Sequence, residues 1–322
     1  MTTNDYSGTL NIVTIEVLQL CPVPTFLQNG LEERFKVYRW FEIDDKAAWL
    51  KTHAHAIRAV VTGGHLGIDS TLVEQLPTLG IIAISGVGHD RVNREHARAR
   101  GIRISYTPDV LTDDVADLTL GLIISLLREL PAAHAFVKSG RWTTEKFPLG
   151  RKVSGRRFGI VGLGRIGRAI AARLTVMGPV AYTATSQKQV PYAYFADVIE
   201  LARASDVLVL STSVTPGTQG LVNRAVLDAL GPQGYLINVA RGAVVDEAEL
   251  IAALTEKRIA GAALDVFTDE PNVPQALLTL PNVMLTPHIG SATHETREGM
   301  GRAVLASLDA FFAGQPVPNA LE

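Results

Sequence analysis

Short runs rich in β-branched residues alternate with helix-length stretches along the whole chain, and this rhythm restricts the fold more than any other feature. Strands are expected at Asn11–Leu18, Lys36–Trp40, Ile57–Thr62, Gly80–Ser85 and Ile102–Tyr106, with helical stretches at Thr25–Arg34, Asp44–His53 and Val92–Arg100 between them. Runs that are apolar on both faces belong in parallel sheets covered by helices. A long helix is expected from Thr112 to Leu130, closed by Pro131. Its first turns carry Asp113, Asp114 and Asp117, where carboxylates suit the positive end of the helix dipole. A second series follows, with strands at Arg157–Val161, Val180–Ala184, Val207–Ser211, Tyr235–Ala240, Gly261–Val266 and Val283–Thr286, and a last helix over Thr293–Phe312. At 322 residues the chain exceeds one ordinary core, so the fold class is α/β with two parallel-sheet domains.

Gly162-Leu163-Gly164-Arg165-Ile166-Gly167 sits between the apolar run Phe158–Val161 and a helix expected over Arg168–Met177. In that setting the glycines have separate tasks. The first permits a tight turn, the second lets backbone approach a pyrophosphate, and the third lets helix and strand pack closely. The helix N-terminus then faces the phosphate charge. The second half is thus a Rossmann-like dinucleotide-binding domain, and the first reads as a Rossmann-like or flavodoxin-like companion. An acid about 20 positions after the first glycine would hydrogen-bond the ribose hydroxyls of NAD. Here the stretch is Tyr182-Thr183-Ala184-Thr185-Ser186-Gln187-Lys188, with no carboxylate. Thr185 and Ser186 could donate to a 2′-phosphate and Lys188 could neutralise it, so NADPH is the expected cofactor, with NADH kept as the alternative.

Composition removes several function classes. The net charge is −2, so nothing marks a nucleic-acid footprint or a basic membrane patch. The single cysteine, Cys21, forbids an internal disulfide framework and suits a reducing, cytoplasmic setting. Met1–Leu10 shows no basic-then-apolar leader. The apolar run Leu118–Leu127 is far short of the ~20 residues that cross a bilayer. His53 and His55 lack the companions a metal site needs, so no metal is expected. Arg94–Arg103 reads as a solvated basic face.

Three further segments end strands of the second series: Ile237-Asn238-Val239-Ala240-Arg241-Gly242, Asp265-Val266-Phe267-Thr268-Asp269-Glu270-Pro271, and Leu285-Thr286-Pro287-His288-Ile289-Gly290-Ser291. Strand carboxyl ends are the rim where α/β proteins bind ligands. Together with the glycine motif and Thr107–Asp117, these segments closely resemble the D-isomer-specific 2-hydroxyacid dehydrogenase family, nearest to its NADPH-dependent glyoxylate/hydroxypyruvate and hydroxyphenylpyruvate reductases. The resemblance covers nearly the whole chain.

It implies an Arg–Glu–His active site at Arg241, Glu270 and His288. His288 would give a proton to the developing alkoxide, Glu270 would orient it, and Arg241 would hold the substrate carboxylate and polarise the carbonyl. Each also has a plainer reading: an ion-pair partner, a solvated acid and a capping or core histidine. The resemblance adds Thr212, Val239, Ala240, Asp265 and Gly290 to the cofactor contacts. Asp265 would touch the nicotinamide carboxamide or, alternatively, cap a turn. Gly63, Gly64 and His65 would bind the substrate carboxylate through backbone N–H groups, if they are more than a simple turn. Trp142 would reach a partner subunit's pocket or merely pack, and a homodimer is expected through Thr112–Trp142. Family reductases carry Ser/Arg/Ser/Lys where this chain has Ala184–Lys188, so its phosphate clamp lacks the arginine. The expected dinucleotide-binding domain is 108–287, inserted into a substrate domain of 1–107 and 288–322, with the active site in the cleft. The non-enzymatic alternative is a dinucleotide-sensing, corepressor-like protein.

Overall fold

A computed structural model describes residues 14–321. The expected absence of a leader in Met1–Leu10, and Asn11–Val13 of the first expected strand, lie outside the described residues. The chain divides into two compact units. Described residues up to Pro108 join those from Glu298 onward in unit 1, and Asp109–Arg297 form unit 2.

Unit 1 begins β1 (Glu16–Gln19), α1 (Thr25–Glu32), β2 (Lys36–Arg39), α2 (Lys46–His53), β3 (Ile57–Gly63), α3 (Ser70–Glu74), β4 (Ile81–Ser85), α4 (Arg94–Ala99) and β5 (Arg103–Ser105). Unit 2 holds α5 (Thr112–Leu127), α6 (Leu130–Lys138), β6 (Phe158–Val161), α7 (Arg165–Leu174), β7 (Val180–Thr183), β8 (Ala193–Tyr194), α8 (Val198–Arg203), β9 (Val207–Leu210), α9 (Arg224–Leu230), β10 (Tyr235–Asn238), α10 (Glu247–Thr255), β11 (Gly261–Leu264), α11 (Gln275–Thr279) and β12 (Val283–Leu285). The last helix, α12 (His294–Phe312), contains the second boundary. The sequence had placed that boundary at Pro287/His288, ten residues earlier. Side-chain bonds keep the intervening segment in unit 2: Ile289 and Gly290 N–H donate to Asp265, and Thr296 Oγ1 donates to the Val110 carbonyl.

The sheet of unit 1 runs β2-β1-β3-β4-β5, all parallel. Period-two alternation gives it two apolar faces. Leu18, Val60, Ile82 and Ile104 pack on one side. On the other, Val17, Ala59, Ile81 and Ala83 meet Leu27 and Leu31 of α1 and Val304, Leu305 and Leu308 of α12.

The sheet of unit 2 runs β12-β11-β10-β9-β6-β7-β8, again parallel. Strands β6, β9, β10 and β11 are buried at every residue, as central parallel strands require. The order reverses between β6 and β9, and in open α/β sheets the crevice beyond such a reversal is where ligands sit.

Two helix expectations change. Instead of closing the long helix, Pro131 begins a second one. Glu129 takes a left-handed conformation (φ 54°), and Pro131 occupies the first turn of α6, where its missing N–H costs nothing. The α5 and α6 axes meet at 61°, and no single described helix is long and apolar enough to cross a membrane. The helix after the glycine motif starts at Arg165, inside the motif, rather than at Arg168.

Candidate functional site

The glycine motif turns the chain from the carboxyl end of β6 into α7. Gly162 has φ 93°, and a Cβ there would stand 2.9 Å from Thr212 Cα beyond β9. Thr212 therefore lies against the motif, across the strand-order reversal. A Cβ on Gly167 would run into the Gly162 carbonyl oxygen, which explains why the third glycine already lies within α7. Gly164 caps α7 and, having no side chain, makes no cap hydrogen bond to the first turn of the helix. A Cβ at Gly164 would meet nothing within 4 Å. An open space facing uncapped helix amides suits a pyrophosphate. Leu163 is buried beneath the turn, Ile166 is half-buried, and Arg165 pairs with Asp109 at 2.7 Å. The residues present thus fit a dinucleotide.

Thr185 and Ser186 are exposed on the loop after β7, and Lys188 Nζ donates to Ser186 Oγ at 2.9 Å. The hydroxyl and the ammonium that the sequence assigned to a phosphate are already neighbours.

At the ends of β10, β11 and β12 the structure gathers Arg241, Glu270 and His288. Asn238, the last residue of β10, brackets the first of these loops. Its Oδ1 accepts from Ala240 N–H and its Nδ2 donates to the Arg241 carbonyl, both at 3.0 Å. Val239 and Ala240 are buried as a result. Arg241 Nη1 donates to the Ala240 carbonyl at 2.7 Å. Gly242 is pressed against the Phe267–Thr268 backbone so closely that a Cβ would collide with it, which brings the arginine and glutamate loops together. Glu270 Oε1 accepts from Phe267 N–H at 3.0 Å, and Oε2 lies 2.6 Å from His288 Nδ1. Burial alone would raise the Glu270 pKa. The His288 hydrogen bond, the Phe267 N–H and the charges of His288 and Arg241 outweigh it and hold the carboxyl below its ordinary value.

His288 sits at φ 52°, a left-handed conformation that costs a non-glycine residue about 1–3 kcal/mol. Asp265 offsets that strain. Its carboxylate is buried and accepts from Thr286 Oγ1 (2.7 Å), Ile289 N–H (2.8 Å) and Gly290 N–H (2.9 Å), bracketing the histidine on both sides. Burial pushes the Asp265 carboxyl up, and these donors with the His288 charge act against it. In the structure Asp265 thus caps the His288 turn, the plainer of its two sequence readings. A Cβ on Gly290 would crowd Asp265 Oδ2 at 3.2 Å.

Gly63, Gly64 and His65 belong to unit 1, in a turn at the end of β3. Gly64 N–H donates to the Ser85 carbonyl, while Leu66 and Gly67 N–H both donate to the Gly63 carbonyl. A Cβ on Gly64 would meet the Gly88 carbonyl at 2.9 Å, so close backbone approach fixes this glycine. Trp142, in unit 2, is 69% exposed. Within the Thr112–Trp142 region expected to form the dimer, α5 buries Leu122, Ile123 and Leu127. The exposed apolar side chains come later, at Leu130, Val137, Trp142 and Leu149. Among the described residues no group of three or more His, Cys, Asp or Glu could hold a metal ion.

Two positioning residues escaped the sequence reading. Asn238 carried a signal, since Asn at a strand end commonly bonds the backbone beyond it. Glu247 did not: its Oε1 accepts from Thr268 N–H, 21 residues away, and only the fold joins them.

Residues 120–290 match the family model described as D-isomer specific 2-hydroxyacid dehydrogenase, NAD binding domain. The chain is 47% identical to glyoxylate/hydroxypyruvate reductase A of Arabidopsis thaliana, over 94% of this chain and 97% of that one. It is 46% identical to hydroxyphenylpyruvate reductase of Plectranthus scutellarioides, with the same two coverages. A crystal structure of the NADPH-dependent glyoxylate/hydroxypyruvate reductase of Sinorhizobium meliloti, solved with NADP and malonate, superposes with a TM-score of 0.90. That pair is 40% identical, over 95% of this chain and 96% of the other.

Proposed function

Because the chain belongs to the D-isomer specific 2-hydroxyacid dehydrogenase family, we propose that it is an NADPH-preferring reductase of small 2-oxo acids, turning glyoxylate into glycolate and hydroxypyruvate into D-glycerate. The observation that carries the reading is the His288–Glu270 pair at 2.6 Å, with the Arg241 charge acting on the same carboxylate. A dinucleotide held there would supply the hydride for the substrate carbonyl carbon. Everything else falls to the protein.

With Nδ1 bonded to Glu270 Oε2, His288 would give its Nε2 proton to the carbonyl oxygen as negative charge develops there. Glu270, held ionised, keeps the ring in that orientation. Arg241 offers its fork to the substrate carboxylate and draws electron density from the carbonyl. The turn of Gly63, Gly64 and His65 belongs to the same proposal as a binder of the substrate carboxylate, with the Gly64 N–H already given to the Ser85 carbonyl. Gly162, Gly164 and Arg165 would hold the pyrophosphate, with Gly167 letting α7 pack close enough to serve them, and Thr185, Ser186 and Lys188 the 2′-phosphate, with Thr212, Val239, Ala240, Asp265 and Gly290 nearer the nicotinamide end.

A homodimer and a reducing, cytoplasmic setting complete the reading. Support for the dimer is the exposed series Leu130, Val137, Trp142 and Leu149, and for the setting the lone buried thiol of Cys21. A second reading, a bulky aromatic 2-oxo acid as substrate, is favoured by the likeness to the Plectranthus scutellarioides protein. The corepressor alternative predicts no turnover of any 2-oxo acid.

The test is a matrix of glyoxylate, hydroxypyruvate, pyruvate and hydroxyphenylpyruvate against NADPH and NADH, followed by the loss of reduced-nicotinamide absorbance. Highest kcat/KM for glyoxylate or hydroxypyruvate with NADPH is expected. Preference for hydroxyphenylpyruvate selects the second reading, and a strong NADH preference overturns the cofactor assignment.

A further inference from the structure

A loop of exposed polar residues has little of its own to hold it in one shape, yet reading a phosphate requires fixed donors. The loop after β7 is held from below. Tyr182, within β7, is fully buried, and its hydroxyl reaches the main chain of Lys188 six residues on. Lys188 N–H donates to the Tyr182 oxygen at 2.6 Å, and the hydroxyl donates to the Lys188 carbonyl at 3.3 Å. Tyr194 lies opposite Tyr182 in the β7–β8 register, with ring centroids 5.4 Å apart. Its hydroxyl donates to the Ala184 carbonyl, at the start of the loop, at 3.4 Å. From this anchored backbone the Lys188 side chain reaches back to Ser186 Oγ at 2.9 Å. Phenylalanine would fill nearly the same space in the core. What the phenol adds is a buried hydroxyl, and a buried hydroxyl must be satisfied. Here the Lys188 backbone satisfies it.

We propose that Tyr182 is a positioning residue for recognition of the ribose 2′-phosphate: its hydroxyl fixes the Lys188 main chain so that Lys188 and Ser186 present a preformed ammonium–hydroxyl pair. The proposal rests on the reading that this loop takes NADPH. It assigns Tyr182 an effect on phosphate discrimination without contact with the phosphate. The adenosine and pyrophosphate, held elsewhere, should not sense its loss.

The experiment is calorimetric titration of the full-length protein with 2′,5′-ADP and with 5′-AMP, for the wild type, Tyr182→Phe, Lys188→Ala and the double variant. The wild type should bind 2′,5′-ADP about tenfold or more tightly than 5′-AMP, as one charge-assisted contact to the extra phosphate would give. Lys188→Ala should remove most of that advantage and Tyr182→Phe a large share of it. The double variant should be no worse than Lys188→Ala alone, because the two changes break one device. Affinity for 5′-AMP should be unchanged throughout. Hydrogen exchange on the wild type adds a readout that needs no variant: the Lys188 amide should be protected, and in Tyr182→Phe it should exchange faster while the β6 amides do not.

If Tyr182→Phe keeps the full 2′,5′-ADP advantage that Lys188→Ala loses, the positioning role is overturned and the NADPH reading stands. Equal weakening of both ligands, or an unprotected wild-type Lys188 amide, also overturns it. A wild type that does not distinguish the ligands overturns the NADPH reading, and the positioning role with it.

Discussion

His288 is a strained residue held in place by carboxylates on two sides, Glu270 at its ring and Asp265 around its backbone. Replacing His288 by Ala should slow reduction by roughly 10²–10⁴-fold, the usual worth of a positioned proton donor, while dinucleotide affinity measured by fluorescence stays near wild type. Glu270 makes a pH-dependent contribution to stability with a definite sign. Its carboxyl lies below the ordinary value in the folded protein, so the stabilisation is fully present above the unfolded-state pKa of about 4.3 and is lost as pH falls through the folded-state value. Melting curves of wild type and Glu270→Gln should therefore converge on acidification. Parallel curves across that range would show that the pair contributes nothing to folding. Asp265→Asn leaves one acceptor oxygen where two serve three donors, and turns an NH2 toward an N–H or O–H. A drop in kcat of about tenfold or more is expected if the His288 turn shifts, since small misplacements of a reacting group are costly. The strand-end places of Arg241, Glu270 and His288 were legible because each follows a strand-like run in a recognisable segment. What Asp265 does there was not, because whether it serves the turn or a ligand depends on where Ile289 and Gly290 N–H point.

Among the elements, the β6–α7 turn separates packing from binding. Gly167→Ala should destabilise the protein by about 1–3 kcal/mol, since its Cβ has nowhere to go but into the Gly162 carbonyl. Gly164→Ala should leave the melting temperature almost unchanged, because the added methyl meets nothing, yet weaken dinucleotide binding by standing in the space proposed for the pyrophosphate. Thermal shift and titration of the two variants give opposite rankings if this is right. Strand positions were readable at nearly every site because fully buried parallel strands leave short apolar runs bounded by turns. β8 was missed: two residues carry no period, and its pairing with β7 is set by the tyrosines that face each other there. The α5–α6 break was misjudged because Pro131 can end a helix or start one. The left-handed Glu129 before it decides which, and no residue type announces that conformation.

At the scale of the whole molecule, the 130–149 stretch exposes apolar side chains that no other described residue covers. Phe147 packs on Phe136 at 5.4 Å and Arg141 lies over the same ring, so this stretch folds back along α6 and leaves Trp142 and Leu149 outward, 69% and 96% exposed. Introducing Trp142→Arg and Leu149→Asp together should shift sedimentation from dimer toward monomer with little change in the unfolding midpoint of the isolated subunit. A wild type that sediments as a monomer at all concentrations would end the dimer proposal. The two-unit organisation was legible from the βα rhythm and the chain length, but the exact return point was not. Pro287 looks like a boundary, whereas the bonds from Asp265 and Val110 that carry the segment past it are tertiary. Because Val304, Leu305 and Leu308 complete one face of the unit 1 sheet, that unit cannot close its core until those residues of α12 have left the ribosome. Unit 2, begun later, has all its strands by Leu285 and is the first that can fold. A nascent chain stalled just after Arg297 has emerged should therefore already protect its second half from protease while its first half is still cut.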